Sequence, residues 1–277
     1  QRQMCIRDRL PIEFINTGEL DIKTTYVLPV TIKSVEGIGV LQSAKTYYYV
    51  FRGASLINVV CNISRNRAYP DFKNDSKFNN LTENTMEILF KANSFPNTLN
   101  TLMGIESNYL LRIGDATIPN NQLQVATSVN NCTSADLQLE SGKWYHVAVA
   151  FNKGNVKVYI NGVEKLSGST GKSSVSLGAK HTNEEDGSRC FWVGYSYKDD
   201  RYFDGVVSEV RIWNRALTAE EIQATNHFYT IEPESEGLIA YWKFDEGSGT
   251  VAKDYSVSGY DLTIEKEPKW ESVSLPQ

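Results

Sequence analysis

A short segment from Gly194 to Gly205, which reads GYSYKDDRYFDG, combines aromatic rings with charged side chains. Flat aromatic faces can cover the apolar side of a pyranose, and planar polar groups can bind its hydroxyls. The segment therefore predicts a carbohydrate-binding loop. Its candidate residues are Tyr195, Tyr197, Asp199, Asp200, Arg201 and Tyr202. The alternative interpretation is an ordinary hairpin whose aromatic side chains cap the edge of the fold.

A second loop, His181 to Arg189, carries the acidic run Glu184, Glu185 and Asp186. Carboxylate oxygens are suitable ligands for a hard cation such as calcium. The spacing matches no defined calcium loop, so a solvated acidic turn is the favoured interpretation. Glu184 and Asp186 remain weak candidates for metal ligands, and no other cofactor is predicted.

The sequence offers little that favours catalysis. Glycoside hydrolysis requires two carboxylates placed on either side of the scissile bond. Glu83 and Glu87 lie near each other, but no acid stands between them at Thr85, and we expect both to be solvated at a strand edge. No serine lies in a nucleophile-elbow sequence, and the GSG of 247–249 reads as a turn. We therefore predict that the chain is not an enzyme.

The three histidines are His146, His181 and His227, and none of them lies in a spacing typical of a metal site. His146 belongs to a segment that is apolar on both sides. We expect it to be a hydrogen-bonded core residue rather than a catalytic residue or a metal ligand.

The cysteines leave two interpretations open. Apart from Cys5, they are Cys61, Cys132 and Cys190, an odd number that excludes a fully paired framework. A bridge between Cys132 and Cys190 is compatible with an oxidising compartment, and buried free thiols are equally compatible with the sequence.

The elements that must position these residues are mainly strands. Residues 144–151 alternate with a period of two and are apolar on both faces, which predicts a strand covered on both sides. Asn161-Gly162 is a strong hairpin signal. Thr218 with Glu221 predicts a capping box and a helix beginning at Ala219.

Further strands are predicted from shorter patterns. In 205–213, Val206, Val210 and Ile212 should share a face with Ser208, while Glu209 and Arg211 point the other way. The remaining predicted strands of this part of the chain are 85–91, 110–113, 122–127 and 136–139. Short strands at this spacing are typical of an all-β sandwich.

Three segments carry a resemblance to a known family: KWYHVAVAF at 143–151, VYINGV at 158–163 and FDGVVSEVRIWNRALTAEEI at 203–222. In these the chain resembles laminin-G-like, concanavalin A-like jelly-roll domains, over roughly 58–275. The resemblance implies an all-β jelly-roll sandwich. It also implies a non-catalytic carbohydrate-binding or adhesion module of a secreted or cell-surface bacterial protein, at the extracellular or outer-membrane surface. The alternative is an accessory or spacer domain of a larger glycoside hydrolase.

The resemblance extends to the end of the chain. The segment 237–262 is similar to one that commonly opens such domains, and it marks Asp254 as a further weak metal candidate. Here we expect it to close the domain, because termini of a sandwich often lie close together. The start of a second jelly roll is the alternative, although 268–276 reads as a finishing strand.

The beginning of the chain is interpreted separately. Residues 1–9 resemble the translation of a sequencing adaptor and are set aside. Residues 10–52 predict three strands, at 11–15, 24–33 and 46–52, and resemble the C-terminal part of a small Ig-like domain of surface proteins from Bacteroidetes. Residues 53–57 would then be a linker, and 58–277 the jelly-roll domain.

Composition excludes some partners. The chain has 277 residues, a formal net charge of −5, and an apolar fraction of 41%, which is sufficient for a β core. An acidic balance argues against a nucleic-acid partner. No apolar run approaches the roughly 18 residues that a membrane-spanning helix needs. A glycan or polysaccharide is the expected partner.

Limited trypsinolysis tests the interpretation of 10–52 as a truncated domain. A segment of about 43 residues is too short to complete an Ig-like sandwich of about 100 residues. We expect cleavage within 10–52 well before any cleavage in 58–277, followed by gel electrophoresis and mass spectrometry. Equal protection of the two parts would contradict the prediction.

Overall fold

The structure is a computed structural model. It describes residues 20, 24–34, 36–37, 45–52, 55–184 and 187–276. The chain divides into two compact units, one from 1–55 with 277 and one from 56–276. The segment 1–9 and the predicted strand 11–15 lie outside the described residues.

Among the described residues of the smaller unit, two antiparallel strands are present, β1 (Thr25–Thr31) and β2 (Thr46–Arg52), with Thr25 opposite Arg52. Both strands were predicted, and both are confirmed. The Ig-like assignment of this unit stays a prediction.

The regular secondary structure of the larger unit consists almost entirely of β-strands. They are β3 (Ile57–Asn62), β4 (Ala68–Pro70), β5 (Glu83–Ala92), β6 (Asn100–Ile105), β7 (Tyr109–Asp115), β8 (Ile118–Thr127), β9 (Asn131–Cys132), β10 (Trp144–Asn152), β11 (Asn155–Ile160), β12 (Val163–Ser169), β13 (Trp192–Val193), β14 (Gly205–Trp213), β15 (Leu238–Trp242), β16 (Val251–Ala252), β17 (Leu262–Ile264) and β18 (Lys269–Leu275). The α-helix α1 spans Ala219–Ile222, and short 3-10 helices span Ser76–Phe78, Ala135–Leu137 and Asp199–Arg201. Within the part of the chain that the structure describes, no helix has both the length and the apolar character needed to cross a membrane.

Two antiparallel sheets form the larger unit. The first sheet has the order β12-β11-β10-β5-β14-β3-β18, with β15 also paired to β14. The second sheet has the order β16-β17-β4-β13-β6-β7-β8-β9. Met86 and Phe90 of the first sheet share one buried apolar core with Leu111 and Val125 of the second. This all-β jelly-roll sandwich is the fold that the sequence predicts.

The C-terminal strands complete both sheets. β15 pairs with β14, and β18 pairs with β3 in the first sheet. β17 pairs with β4 in the second sheet. The segment after Gly237 therefore contributes edge and inner positions of this same sandwich.

The first sheet is also covered on its outer face, which explains why residues 144–151 are apolar on both sides. The helix α1 lies on that face and is followed there by residues 223–231. We call residues 223–231 the strap. Ala148 and Ala150 of β10 pack there in one cluster with Trp213 and Ile222, and Phe228 of the strap packs against it. The predicted capping box of α1 is confirmed, because Thr218 Oγ1 accepts from the Glu221 N–H and the Glu221 carboxylate accepts from the Thr218 N–H.

A bulge in β14 makes the predicted face assignment wrong at Val206, whereas Val210 and Ile212 share the core face as predicted. Ser208 lies opposite Leu89 and Arg211 opposite Glu87, so two residues of β14 face the single Ile88. Glu209 takes a left-handed φ of 50° at this point. Because an extra residue inverts the alternation, Val206 packs on the outer face with Leu89, whereas Val210 lies in the core.

The predicted strand 136–139 is also wrong. The chain forms the 3-10 helix Ala135–Leu137 instead, with the Leu137 N–H bonded to the Ser134 carbonyl. One tight turn buries Leu137 completely and lets Leu139 bond to the Asn121 carbonyl. The predicted strands 85–91, 110–113 and 122–127 are confirmed within the longer β5, β7 and β8.

The described cysteines, Cys61, Cys132 and Cys190, are buried and unbridged. This is the free-thiol alternative of the two that the sequence left open. Burial, the largest cause, raises the pKa of Cys190 to about 11, so the thiol is protonated and unreactive at neutral pH.

The hairpin turn between β11 and β12 provides a test of local structure. Asn161 has a φ of 49°, and its Oδ1 accepts from the His146 N–H at 2.8 Å. Asn161→Ala loses this bond and strains the left-handed position. We expect the free energy of unfolding to fall by about 2 kcal/mol in urea denaturation. Asn155→Ala, on the same hairpin without a positive φ, is the matched control and should change it by less than about 0.5 kcal/mol.

Candidate functional site

The loop 194–205 forms the wall between two cavities. Four of its predicted residues, Tyr195, Tyr197, Asp199 and Asp200, line a cavity of about 570 Å³. The other residues around this cavity are Arg67, Glu184, Gly187 and Lys198. The tip of the loop is the 3-10 helix Asp199–Arg201, so it is not a simple hairpin.

Tyr195 contributes little open ring surface, since it is only 2% exposed. Its ring lies between Trp192 and Tyr202, each with a centroid separation of 5.0 Å. The Arg67 guanidinium lies 4.4 Å from the ring centroid. Tyr195 therefore packs beneath the cavity and supports its other residues.

Tyr197 is half-buried between two guanidinium groups. Arg189 lies 4.2 Å and Arg201 4.7 Å from its ring centroid. Arg201 also forms an ion pair with Glu106, with Nη1 to Oε2 at 2.9 Å. Arg201 thus holds the Tyr197 ring in place instead of lining the cavity.

Tyr202 and Asp199 line the neighbouring cavity of about 750 Å³. Asp204 lies in its wall and accepts hydrogen bonds from Ser64 Oγ at 2.7 Å and Ser94 Oγ at 2.6 Å. Burial alone would raise the pKa of Asp204, but these hydrogen bonds outweigh it and lower the pKa. The Asp204 carboxylate is therefore ionised and fixed in orientation.

Several residues of the site were missed by sequence reasoning. Tyr69 of β4 stacks on His181 with centroids 3.8 Å apart, and Trp192 of β13 contacts Tyr69 edge-on at 5.1 Å. Arg67 lies 5.2 Å from the Trp192 ring. A third cavity of about 400 Å³ adjoins these rings and shares Arg67 and Glu184 with the first. β4 and β13 are adjacent only in the folded sheet, so no local signal could have paired these residues.

The acidic loop 181–189 packs against the loop 194–205 at Gly187. Gly187 has a φ of 79°, and a Cβ there would lie 2.9 Å from the Tyr195 hydroxyl. Only glycine allows both this backbone conformation and this approach. Glu184 is exposed at the rim of two cavities, whereas Asp186 lies outside the described residues.

The Asp254 carboxylate stabilises a turn through backbone hydrogen bonds. Its carboxylate accepts hydrogen bonds from the backbone N–H groups of Tyr241, Ser256 and Tyr260 at 2.8–3.0 Å. Burial is the largest influence on this carboxyl and raises its pKa. The three hydrogen bonds fix the turn after β16 against β15.

A second group of polar residues lies on the outer face of the first sheet, under the strap. Glu87 is fully buried there, so its expected position as a solvated carboxylate is wrong. His227 Nε2 lies 2.6 Å and His146 Nε2 3.4 Å from Glu87 Oε1. Two histidines that are scattered in the sequence thus meet at one carboxylate. His146 is buried as expected, but neither of its ring nitrogens has a hydrogen-bond partner.

Arg211 joins this group to Glu209. Its Nη2 donates to Glu209 Oε2, and its Nη1 donates to the His227 carbonyl at 2.7 Å and lies 3.7 Å from Glu87 Oε2. Tyr241 donates from its hydroxyl to Glu209 Oε2 at 2.6 Å, and Trp213 Nε1 donates to Glu87 Oε2 at 2.7 Å. We call Glu87, His146, Glu209, Arg211 and His227 the buried polar cluster.

The protonation tendencies within this cluster differ. Burial would raise the pKa of Glu87, but the two imidazoles and Arg211 outweigh it and hold the pKa well below its ordinary value. Burial prevails for Glu209 and raises its pKa, and burial lowers the pKa of His146. Glu87 is thus the carboxylate most firmly held in its charged form.

Removal of the shared cation tests the buried polar cluster. Arg211→Met leaves Glu87 and Glu209 without their guanidinium partner, and we expect the free energy of unfolding to fall by about 3–5 kcal/mol. Arg215→Met is the matched control. Arg215 pairs with Glu221 at the surface, and its loss should cost at most about 1 kcal/mol. Guanidinium denaturation of both variants measures this difference, and equal losses would contradict the assignment.

Comparisons with known proteins agree with this architecture. The family model described as the concanavalin A-like lectin/glucanases superfamily, of the laminin-G type, matches residues 66–223. A candidate carbohydrate-binding protein from Bacteroides ovatus ATCC 8483 is 26% identical, with a TM-score of 0.67 over 92% of this chain and 70% of that protein. No curated protein matches the chain.

Two further solved structures are similar at lower sequence identity. A heptameric SAP-like pentraxin from Limulus polyphemus is 15% identical, with a TM-score of 0.42 over 63% of this chain and 83% of its own. Domain 4 of the extracellular GH43 arabinanase AbnA from Geobacillus stearothermophilus, in complex with arabinotriose, is 19% identical, with a TM-score of 0.43 over 78% and 91% of the two chains. The sandwich, the three motif segments and the family match lead to one conclusion: this chain belongs to the laminin-G-like family of the concanavalin A-like superfamily.

Proposed function

We propose that the larger unit is a non-catalytic carbohydrate-binding or adhesion module of a secreted or cell-surface bacterial protein. The site is the pair of adjoining cavities around Arg67, between the loops 181–188 and 194–205. The observation that carries this proposal is the convergence of three separate segments on one place. Each of them brings aromatic rings or planar charged groups to the same cavities.

The chemistry of the first cavity suits a neutral sugar. Arg67 and Lys198 supply donors, while Glu184, Asp199 and Asp200 supply acceptors. Sugar hydroxyls both donate and accept, so a mixed lining can satisfy them. The excess of carboxylates disfavours polyanionic glycans, because like charges repel at this distance. A cavity of about 570 Å³ lies within the range of ligand-binding pockets.

The position of Glu87 and Glu209 supports a role without catalysis. Glycoside hydrolysis needs two carboxylates that contact the sugar. Glu87 is fully buried on the outer face of the first sheet and Glu209 is only 2% exposed, so neither is positioned to contact a polysaccharide. The likeness to the candidate carbohydrate-binding protein from Bacteroides ovatus supports the same assignment.

A glycan array, followed by isothermal titration calorimetry with and without calcium, tests the proposal. We expect binding to neutral glycans to exceed binding to uronic-acid polymers. Tyr197→Ala should weaken binding about tenfold, since an aromatic contact contributes about 1–1.5 kcal/mol. Tyr255→Ala, which alters a half-buried tyrosine outside these cavities, is the matched control and should bind normally.

The outcomes separate the alternatives. If no glycan binds, the chain is better explained as a spacer or accessory domain of a larger glycoside hydrolase. If the purified chain hydrolyses a β-glucan, the proposal of a non-catalytic module is wrong. Loss of binding on removal of calcium would assign a cation to the rim near Glu184.

A further inference from the structure

The buried polar cluster contains three groups with the chemistry of a metal site. Oε1 of Glu87 and one nitrogen from each of His146 and His227 lie within 4.8 Å of one another. Glu87 and His146 are fully buried, and His227 is 5% exposed. These residues come from β5, β10 and the strap, so only the folded chain brings them together.

The buried ring nitrogens of His146 indicate that an ion or a water molecule binds beside them. Its Nδ1 and Nε2 are both buried and both lack a hydrogen bond. A buried polar group without a partner is uncommon in native proteins, and an ion or water at the site is a usual explanation. The ring is fixed by stacking on Phe228 with centroids 4.5 Å apart, and its Nε2 lies 3.4 Å from Glu87 Oε1.

The buried carboxylates of the cluster also require a further positive charge. Arg211 donates directly to Glu209 and also lies 3.7 Å from Glu87 Oε2, so one guanidinium faces two buried carboxylates. One negative charge is left over beside the two imidazoles that adjoin Glu87 Oε1. Buried charges in proteins are paired or coordinate metals. Either a bound proton or a metal ion can supply the compensating charge here.

We propose that Glu87 Oε1, His146 Nε2 and His227 Nε2 bind a structural Zn²⁺ ion. Zinc takes imidazole nitrogens at about 2.0–2.1 Å and carboxylate oxygens at about 2.0–2.2 Å, so tetrahedral ligands lie roughly 3.3 Å apart. The 3.4 Å separation from Oε1 fits this geometry, and the 2.6 Å separation requires His227 to move outward. The two histidine nitrogens lie within 4.8 Å of each other and would adjust to the same ion. The fourth position is left to a water molecule.

The surrounding contacts favour zinc over a harder cation. Calcium and magnesium prefer oxygen ligands, whereas two of the three ligands here are imidazoles. Trp213 Nε1 donates to Glu87 Oε2, which orients the carboxylate and leaves Oε1 for the metal. Because the site is closed to substrates, the ion would fasten the strap to β5 and β10.

Metal content and thermal stability of the whole chain test the proposal. The protein is unfolded in denaturant with EDTA, refolded with or without one equivalent of Zn²⁺, and dialysed. We expect one zinc per chain by atomic emission spectroscopy. The Tm should rise by roughly 5–10 °C at a free Zn²⁺ concentration about 100 times the Kd. Co²⁺ in place of Zn²⁺ should give the visible absorption of a tetrahedral site.

Histidine variants locate the ion. His227→Ala removes a ligand from the strap and should abolish zinc retention and the Co²⁺ spectrum. His181 is the one histidine that is not a proposed zinc ligand. The His181→Ala variant should therefore retain one zinc. If His227→Ala does not fold, the zinc content and Co²⁺ spectrum of the unaltered chain still decide the question. Absence of retained metal, with an unchanged Tm in Zn²⁺, Co²⁺ and Ni²⁺, would overturn the proposal and show that a proton supplies the charge. These measurements involve no glycan and are independent of the proposed function.

Discussion

The structure of the larger unit depends on the burial of the Glu87 carboxylate beneath the strap. A buried charge is costly unless it is paired and hydrogen-bonded. Glu87 obtains its partners from Trp213 of β14 and His227 of the strap, with Arg211 close by. These contacts tie the segment after α1 to the centre of the first sheet. The centre of this outer face is thereby closed to solvent, and β10 can be apolar on both sides there.

The bulge at Glu209 is part of the same arrangement. By inserting one residue opposite Ile88, it lets Val207 before the bulge and Val210 and Ile212 after it all fill the core, with Glu209 and Arg211 on the buried outer face. Arg211 then reaches Glu209, the His227 carbonyl and the vicinity of Glu87. A regular strand would have alternated without interruption. The left-handed conformation of Glu209 is the local strain that this network offsets.

The candidate binding site was found from the sequence only in part. The loop 194–205 was recognisable because its aromatic and charged residues are adjacent in the chain. Which of them face a ligand was not recognisable, since Tyr195 turned inward against Trp192 while Asp199 and Asp200 stayed exposed. Arg67, Tyr69 and His181 reach the same cavities from distant segments. Their approach depends on the pairing of β4 with β13 and on the close contact at Gly187.

The sequence by itself determined the features that depend on neighbouring residues. Asn161-Gly162 specified a turn with two positive φ angles, and Thr218 with Glu221 specified the capping box of α1. Alternation of apolar residues determined strands such as β10, and the motif segments determined the family. Only the tertiary structure decided the environment of Glu87 and its contact with His227, which is 140 residues away. The physical reason is that turn and cap energies are local, whereas burial and charge pairing depend on which segments the completed sheets bring together.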